Sequence, residues 1–327
     1  MRLFHCDDCH QPIFFENFVC LSCSAQLGFA PERVAVVALA PGARACANRA
    51  SGTCNWLLEP DAPPDASLCR SCVLTRVIPD LSVAGHLAAW KKLEIAKRRL
   101  LHSLLTLGLP ERGMAFEFLA DQPEARVFTG HSDGVITVNV AEADDVERER
   151  RRVNLHEGYR TLLGHFRHES GHYYWNVLLE NGPRLGEFRR LFGDETASYD
   201  EAVKRHYEQG APAGWADRHI SAYATMHPWE DFAETWAHVL HMRDALEMAR
   251  SSGLALHGSH PRDPKLEPRP AGLRDFDEDV KDWFALTFLL NNLNRGLGLP
   301  DGYPFVLTDP VLEKLRFVYA LIDEAKP

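Results

Sequence analysis

No cysteine occurs after position 72 in this 327-residue chain. No apolar stretch approaches the ~20 residues that a membrane-spanning helix needs. The longest are residues 34–40 and residues 283–290, the second interrupted by Thr287. The opening residues, MRLFHCDDCH, lack the apolar core of a secretory signal, so the expectation is a cytoplasmic protein with no membrane partner. Basic residues are not in excess: 36 Lys and Arg face 46 Asp and Glu, for a formal net charge of −10. That balance argues against a general nucleic-acid binder. No fixed-period repeat is present, and a composition 45% hydrophobic and 25% charged excludes collagen, coiled coil and wholesale disorder. What remains is a globular chain long enough for a large domain and a smaller one.

All eight cysteines therefore crowd the first 72 residues. With no export signal in view, clustered thiols read as metal ligands rather than disulfides. Cys6-x2-Cys9 and Cys20-x2-Cys23 are two knuckles, each able to put two thiolates on one ion from a tight turn, and together they complete a tetrahedral four-sulfur site. Cys46, Cys54, Cys69 and Cys72 supply a second, looser set. Four plus four uses every cysteine, although ligands interleaved between the halves fit the spacing too. A segment rich in Pro, Gly and Ala has little core of its own, so metal supplies much of its folding free energy. Residues 1–80 hold six basic and eight acidic residues, and a tetrathiolate zinc site adds two further negative charges. Such a surface suits a protein partner or the rest of the chain better than a polyanion.

Pro79-Asp80 closes this part, giving a boundary between residues 1–80 and 81–327. A helix is expected from about 86 to 107, with Leu93, Leu100, Leu101 and Leu104 on its apolar stripe and Lys91, Lys92, Lys97, Arg98 and Arg99 on a solvated basic face. Residues 114–120 and 135–140 alternate like strands. Further helical patterns run over 142–152, 155–179, 184–210 with interruptions, 229–250 with Pro228 suited to its start, 277–293 and 309–324. Residues 251–274, with four prolines and three glycines, read as a loop. The fold class expected is α+β, mostly helical with a small sheet, preceded by the cysteine-rich module.

Inside the 155–179 helix stands His168-Glu169-Ser170-Gly171-His172. Residues i and i+4 share a helix face, so both imidazoles can meet one zinc ion. Glu169, rotated about 100°, can take a proton from water there. Aromatic neighbours Phe166, Tyr173, Tyr174 and Trp175 place the motif in an apolar setting. A third ligand is sought in PWEDFAETWAH (228–238). Glu230 and Glu234 are also i and i+4, and two carboxylates on an aromatic helix face are costly to bury unless paired or metal-bound. One can bind zinc while the other orients a zinc-binding histidine through its second ring nitrogen. Asp231, His238 and His241 are alternative ligands, and His165 lies one turn before His168.

HESGH followed by EDFAE resembles a gluzincin metallopeptidase, and Tyr223-x6-Glu230-x-Phe232-Ala233-Glu234 is similar to the zinc-site helix of anthrax lethal factor. More closely, the chain resembles a family of bacterial zinc-binding metallopeptidases with an N-terminal zinc ribbon. The matching segments are the two cysteine clusters, YRTLLGHFRHESGHYYW (159–175), PWEDFAETWAH and YPFVL (303–307). The resemblance implies His168, His172 and Glu230 as ligands of a catalytic zinc, Glu169 as general base, Glu234 as a residue behind the ligands, and Tyr223 as a stabiliser of the oxyanion. Tyr173, Tyr174 and His227 could substitute for Tyr223. It further implies that residues 135–140 form an edge strand to which an extended peptide adds.

The function expected is thus peptide-bond hydrolysis with one catalytic and two structural zinc ions, acting on a peptide or protein, with the ribbon as a lid or a protein-docking surface. The competing expectation is a non-catalytic, regulatory protein-binding module on a peptidase-like fold.

Overall fold

The computed structural model describes residues 1–154, 160–269 and 275–325. Two compact units emerge: Leu3–Arg150 with Thr161–Phe166, and residues from Arg167 onward with Met1–Arg2.

In the first unit, β1 (Phe4–His5) and β2 (Pro12–Ile13) form one antiparallel pair, and β3 (Leu27–Ala30) and β4 (Ala35–Ala38) another. The CxxC turns share one backbone solution. His10 and Ser24, each directly after a second cysteine, adopt φ of 59° and 64°, and their amides bond back to the Cys6 and Cys20 carbonyls at 2.9 and 2.8 Å. That left-handed residue turns both thiols of a knuckle the same way. Short helix α1 (Arg70–Val73) begins at Cys69 and leads into β5 (Thr75–Val77); α2 (His86–Leu107) then crosses over to β6 (Ala115–Leu119), parallel to β5. β7 (Gly130–Ser132) and β8 (Val135–Asn139) complete a four-stranded sheet in the order β5-β6-β8-β7.

Two sequence expectations need correction here. Strand β8 is not an edge: it lies between β6, parallel, and β7, antiparallel. The cause is the Asp133-Gly134 turn, with φ of 48° and 81°, which folds the chain back into a hairpin. Nor is the basic face of α2 wholly solvated. Lys97 and Arg98 are fully buried. Lys97 Nζ donates to the Ser71 carbonyl at 2.8 Å and to Glu94 at 3.0 Å, and Arg98 donates to the Thr53 carbonyl at 2.6 Å. Interior cations are tolerable only when so paired. Beside them Phe15, Phe29, Trp56 and the α2 residue His102 form an aromatic cluster with ring centroids 4.6–6.4 Å apart. The cysteine-rich segment thus gains its core from α2.

Helix α3 (Asp145–Asn154) follows, and α4 (Leu162–Leu178) carries the HESGH motif; the part of its expected span at residues 155–159 lies outside the described residues. The second unit contains α5 (Leu185–Phe192), α6 (Tyr199–Gln209), α7 (Pro228–Ser251), α8 (Phe276–Gly296) and α9 (Asp309–Glu324). Pro228 starts α7 as expected. Residues 256 and 266 form an isolated bridge within the long loop, whose residues 270–274 are outside the described set. Among the described residues, no helix is long and apolar enough to cross a membrane. The class is α+β, with extensive helix, small sheets and a cysteine-rich N-terminal part.

Candidate metal centre

Helices α4 and α7 meet where both carry small residues. A Cβ placed on Gly171 would lie 2.8 Å from the Ala233 Cα and 3.2 Å from its Cβ. Around this contact, Tyr174 stacks on Trp236 at 4.6 Å and the Trp236 indole donates to Ser170 Oγ at 3.1 Å. The close approach brings His168 and His172 of α4 against Glu230 and Glu234 of α7. Gly171→Ala is therefore expected to cost about 1–3 kcal/mol by overpacking, read as a lower thermal midpoint with weaker metal retention. An unchanged midpoint would show that the helices separate freely.

The ligand atoms of His168, His172 and Glu230 lie within 4.8 Å of one another, and all three residues are buried. His168 Nε2 is 2.9 Å and His172 Nε2 3.4 Å from the same oxygen, Glu230 Oε2. Bonds of ~2.0–2.1 Å to a tetrahedral zinc separate neighbouring donors by roughly 3.3–3.4 Å, so this set fits zinc. On the far side of the ring, His168 Nδ1 faces Glu234 Oε1 at 2.7 Å, and Glu234 Oε2 accepts from Ser221 Oγ at 2.6 Å. Such support fixes the tautomer and orientation of a metal-binding imidazole. The ring of His172 lies 3.9 Å from that of Trp229.

The electrostatics favour a cation at this point. Burial alone would lower the His168 pKa, but Glu230 and Glu234 hold it well above 6.5. Burial would raise Glu230, yet His172 and His168 hold it well below 4.5. Glu234, against the same burial, is lowered to about 2 by His168. Without metal, an imidazolium supplies the positive charge that the two carboxylates demand.

The other candidates are engaged elsewhere. Asp231 pairs with Lys314 at 2.5 Å, His238 Nδ1 meets the Tyr303 hydroxyl at 2.7 Å, and His241 contacts Arg167. His165 Nδ1 lies 3.3 Å from Glu142. His227 caps α7 by accepting from the Trp229 amide. Tyr173 packs edge-on against Tyr174. Glu169 is buried beside His168. Tyr223, on a short 3-10 turn, has its ring 5.8 Å from that of His168; burial first, then Glu230, raises its hydroxyl pKa well above 10.

Two residues escaped the sequence reading. Tyr199, at the start of α6, donates to Glu230 Oε1 at 2.8 Å, and Ser221 supports Glu234. Neither has a spacing rule that ties it to the motif; both arrive through tertiary packing.

The cysteines assemble as two sets, Cys6, Cys9, Cys20 and Cys23, and Cys46, Cys54, Cys69 and Cys72, with the sulfurs of each set within 4.8 Å. The halves do not interleave. Sulfur separations of 3.7 Å (Cys6 to Cys23), 3.6 Å (Cys9 to Cys20) and 3.6 Å (Cys54 to Cys69) match the roughly 3.8 Å edge of a tetrahedron with ~2.3 Å zinc–sulfur bonds. No disulfide joins any of the eight.

Comparison with known proteins agrees with this donor chemistry. Residues 86–321 match the family described as "putative zinc-binding metallo-peptidase", and residues 3–83 match a zinc-ribbon domain. The chain belongs to that zinc-binding metallopeptidase family. It is 46% identical over 339 residues to uncharacterized proteins of Mycobacterium tuberculosis and Mycobacterium bovis, across 100% of this chain and 97% of each relative. No solved structure matches it significantly.

Proposed function

We propose that the protein is a zinc-dependent peptidase of the gluzincin type, with a zincin-like domain over residues 81–327 behind a two-zinc ribbon over residues 1–80. The observation that carries this reading is the convergence of two imidazole Nε2 atoms on one oxygen of Glu230, with Glu234 behind His168. His168, His172 and Glu230 would hold the metal. Zinc, when bound, supplies the Lewis acidity that polarises a peptide carbonyl and lowers the pKa of water. Glu169 takes the proton of the attacking water on its carboxylate and delivers it to the leaving amine. Tyr223 offers a hydroxyl to the developing oxyanion. Glu234 keeps the His168 Nδ1–H donated to itself, so Nε2 carries the lone pair toward the metal. The acidic balance of residues 1–80 supports a protein rather than a nucleic-acid partner for the ribbon, and the reading places the enzyme in the cytoplasm.

Casein and peptide libraries incubated with wild type and Glu169→Ala test this. Cleavage by the variant is expected to fall by about 10²–10⁴-fold, the usual worth of a general base, with zinc content unchanged. Equal cleavage by both proteins would remove Glu169 from the mechanism and point to a contaminating protease.

A further inference from the structure

We propose that Tyr199 is a positioning residue for Glu230, fixing which carboxylate oxygen faces the two histidines. The assignment rests on the metal-site reading above. Glu230 is 1% exposed, so each of its oxygens must find a partner within the protein. Oε2 lies before His168 and His172, and Oε1 receives the Tyr199 hydroxyl at 2.8 Å. The terminal torsion of a glutamate is soft. Without a donor on Oε1, the carboxylate can rotate and present both oxygens to a cation. With that donor in place it offers one oxygen, which keeps a coordination position for water and substrate.

Tyr199 is itself held in aim. It follows Ser198, whose Oγ caps α6 by accepting from the Glu201 amide. Its ring meets His227 edge-on at 5.4 Å and Trp229 at 6.0 Å. His227 Nε2–H donates to the Ala197 carbonyl at 3.1 Å while its Nδ1 caps the start of α7. The entry to α6 is therefore tied to the turn of α7 that bears Glu230. Tyr223 stands on the other ligand's side, its ring 5.8 Å from that of His168. On this reading Tyr199 orients the ligand, while Tyr223 keeps the oxyanion role proposed above.

The test uses full-length wild type, Tyr199→Phe, Tyr223→Phe and His168→Ala, with zinc counted per chain and the affinity of the third site read by chelator competition. The d–d spectrum after cobalt substitution reports ligand geometry. Tyr199 is 37% exposed and phenylalanine keeps its ring, so the fold should persist, which circular dichroism checks. Tyr199→Phe is expected to hold the third zinc about 10–100-fold more weakly, the usual loss for a residue behind a metal ligand, with a shifted cobalt spectrum. Tyr223→Phe is expected to match wild type in both. Wild-type affinity and an unshifted spectrum in Tyr199→Phe would overturn the role of Tyr199 and leave the metal site standing. Two zinc ions in wild type and in His168→Ala alike would overturn the metal site itself, and this assignment with it.

Discussion

Replacing Cys54 by serine is expected to leave the cysteine-rich segment unfolded. Cys54 is fully buried, and its sulfur accepts from the Trp56 amide at 3.4 Å beside the aromatic cluster of Phe15, Phe29 and His102. Structural zinc in small thiolate sites carries an apparent binding free energy of about 10–16 kcal/mol, at least the size of a typical domain's entire stability of ~5–15 kcal/mol. The four thiols also need a cation. Hydrogen bonds from Cys54 and Cys69 lower the Cys46 pKa, while contact with Cys46 raises those of Cys54 and Cys69, so one thiolate suppresses the others until metal compensates them. Lys97 and Arg98, buried next to this set, are paired with carbonyls and Glu94 and do not supply that charge in full. Zinc content, with the fluorescence of buried Trp56, checks the outcome. A wild-type cooperative melt in the variant, with one zinc fewer per chain, would show that metal does not hold this segment. Cys23→Ser is expected to be milder, since Cys23 is exposed and its knuckle lies at the surface.

His168→Ala is expected to reduce zinc from three ions per chain to two and to destabilise the metal-free protein. The imidazole stands between Glu230 and Glu234, and removing the cationic partner of a buried carboxylate costs about 3–5 kcal/mol. The pH dependence follows from the directions of the shifts. With a pKa well above 6.5, His168 is protonated in the metal-free protein at neutral pH; its stabilisation is fully present below 6.5 and is lost as pH rises through the raised value. Glu230 and Glu234 are shifted below 4.5, Glu234 to about 2; their stabilisation is present above 4.5 and is lost as pH falls through the lowered values. The metal-free site is therefore held best between about pH 4.5 and 6.5. Zinc must displace the His168 proton, so binding at pH 7 is expected to release protons and to weaken as pH falls. Calorimetry in buffers of different ionisation enthalpy measures that release. A heat independent of buffer, or three ions retained in the variant, would sink the assignment.

Much of this was legible in the chain itself. The HESGH helix, the strands at 115–119 and 135–139, the Pro228 start of α7 and the closing helices all follow from period and from local breakers, because each depends on neighbours within a few residues. The pairing of Glu230 with Glu234 was legible for the same reason, as two carboxylates on one face of an aromatic helix. The Asp133-Gly134 signal was there too, and it is what turns β8 from an edge into an interior strand. The burial of Lys97 and Arg98 was not legible: on a helical wheel they belong to a basic face, and only the Ser71, Thr53 and Glu94 partners make their interior position tolerable.

The residues that can bind metal were thus determined by the sequence alone: two-sulfur CxxC knuckles set by turn geometry, and histidines one helical turn apart. Which of them converge was decided by tertiary structure. The division of eight cysteines into two unmixed sets, the approach of α4 to α7 over Gly171 and Ala233, and the arrival of Tyr199 at Glu230 span 11 to 66 residues of chain in the contacts that define them. Over such distances no periodicity operates, and position follows from which surfaces pack and which buried polar atoms must be satisfied.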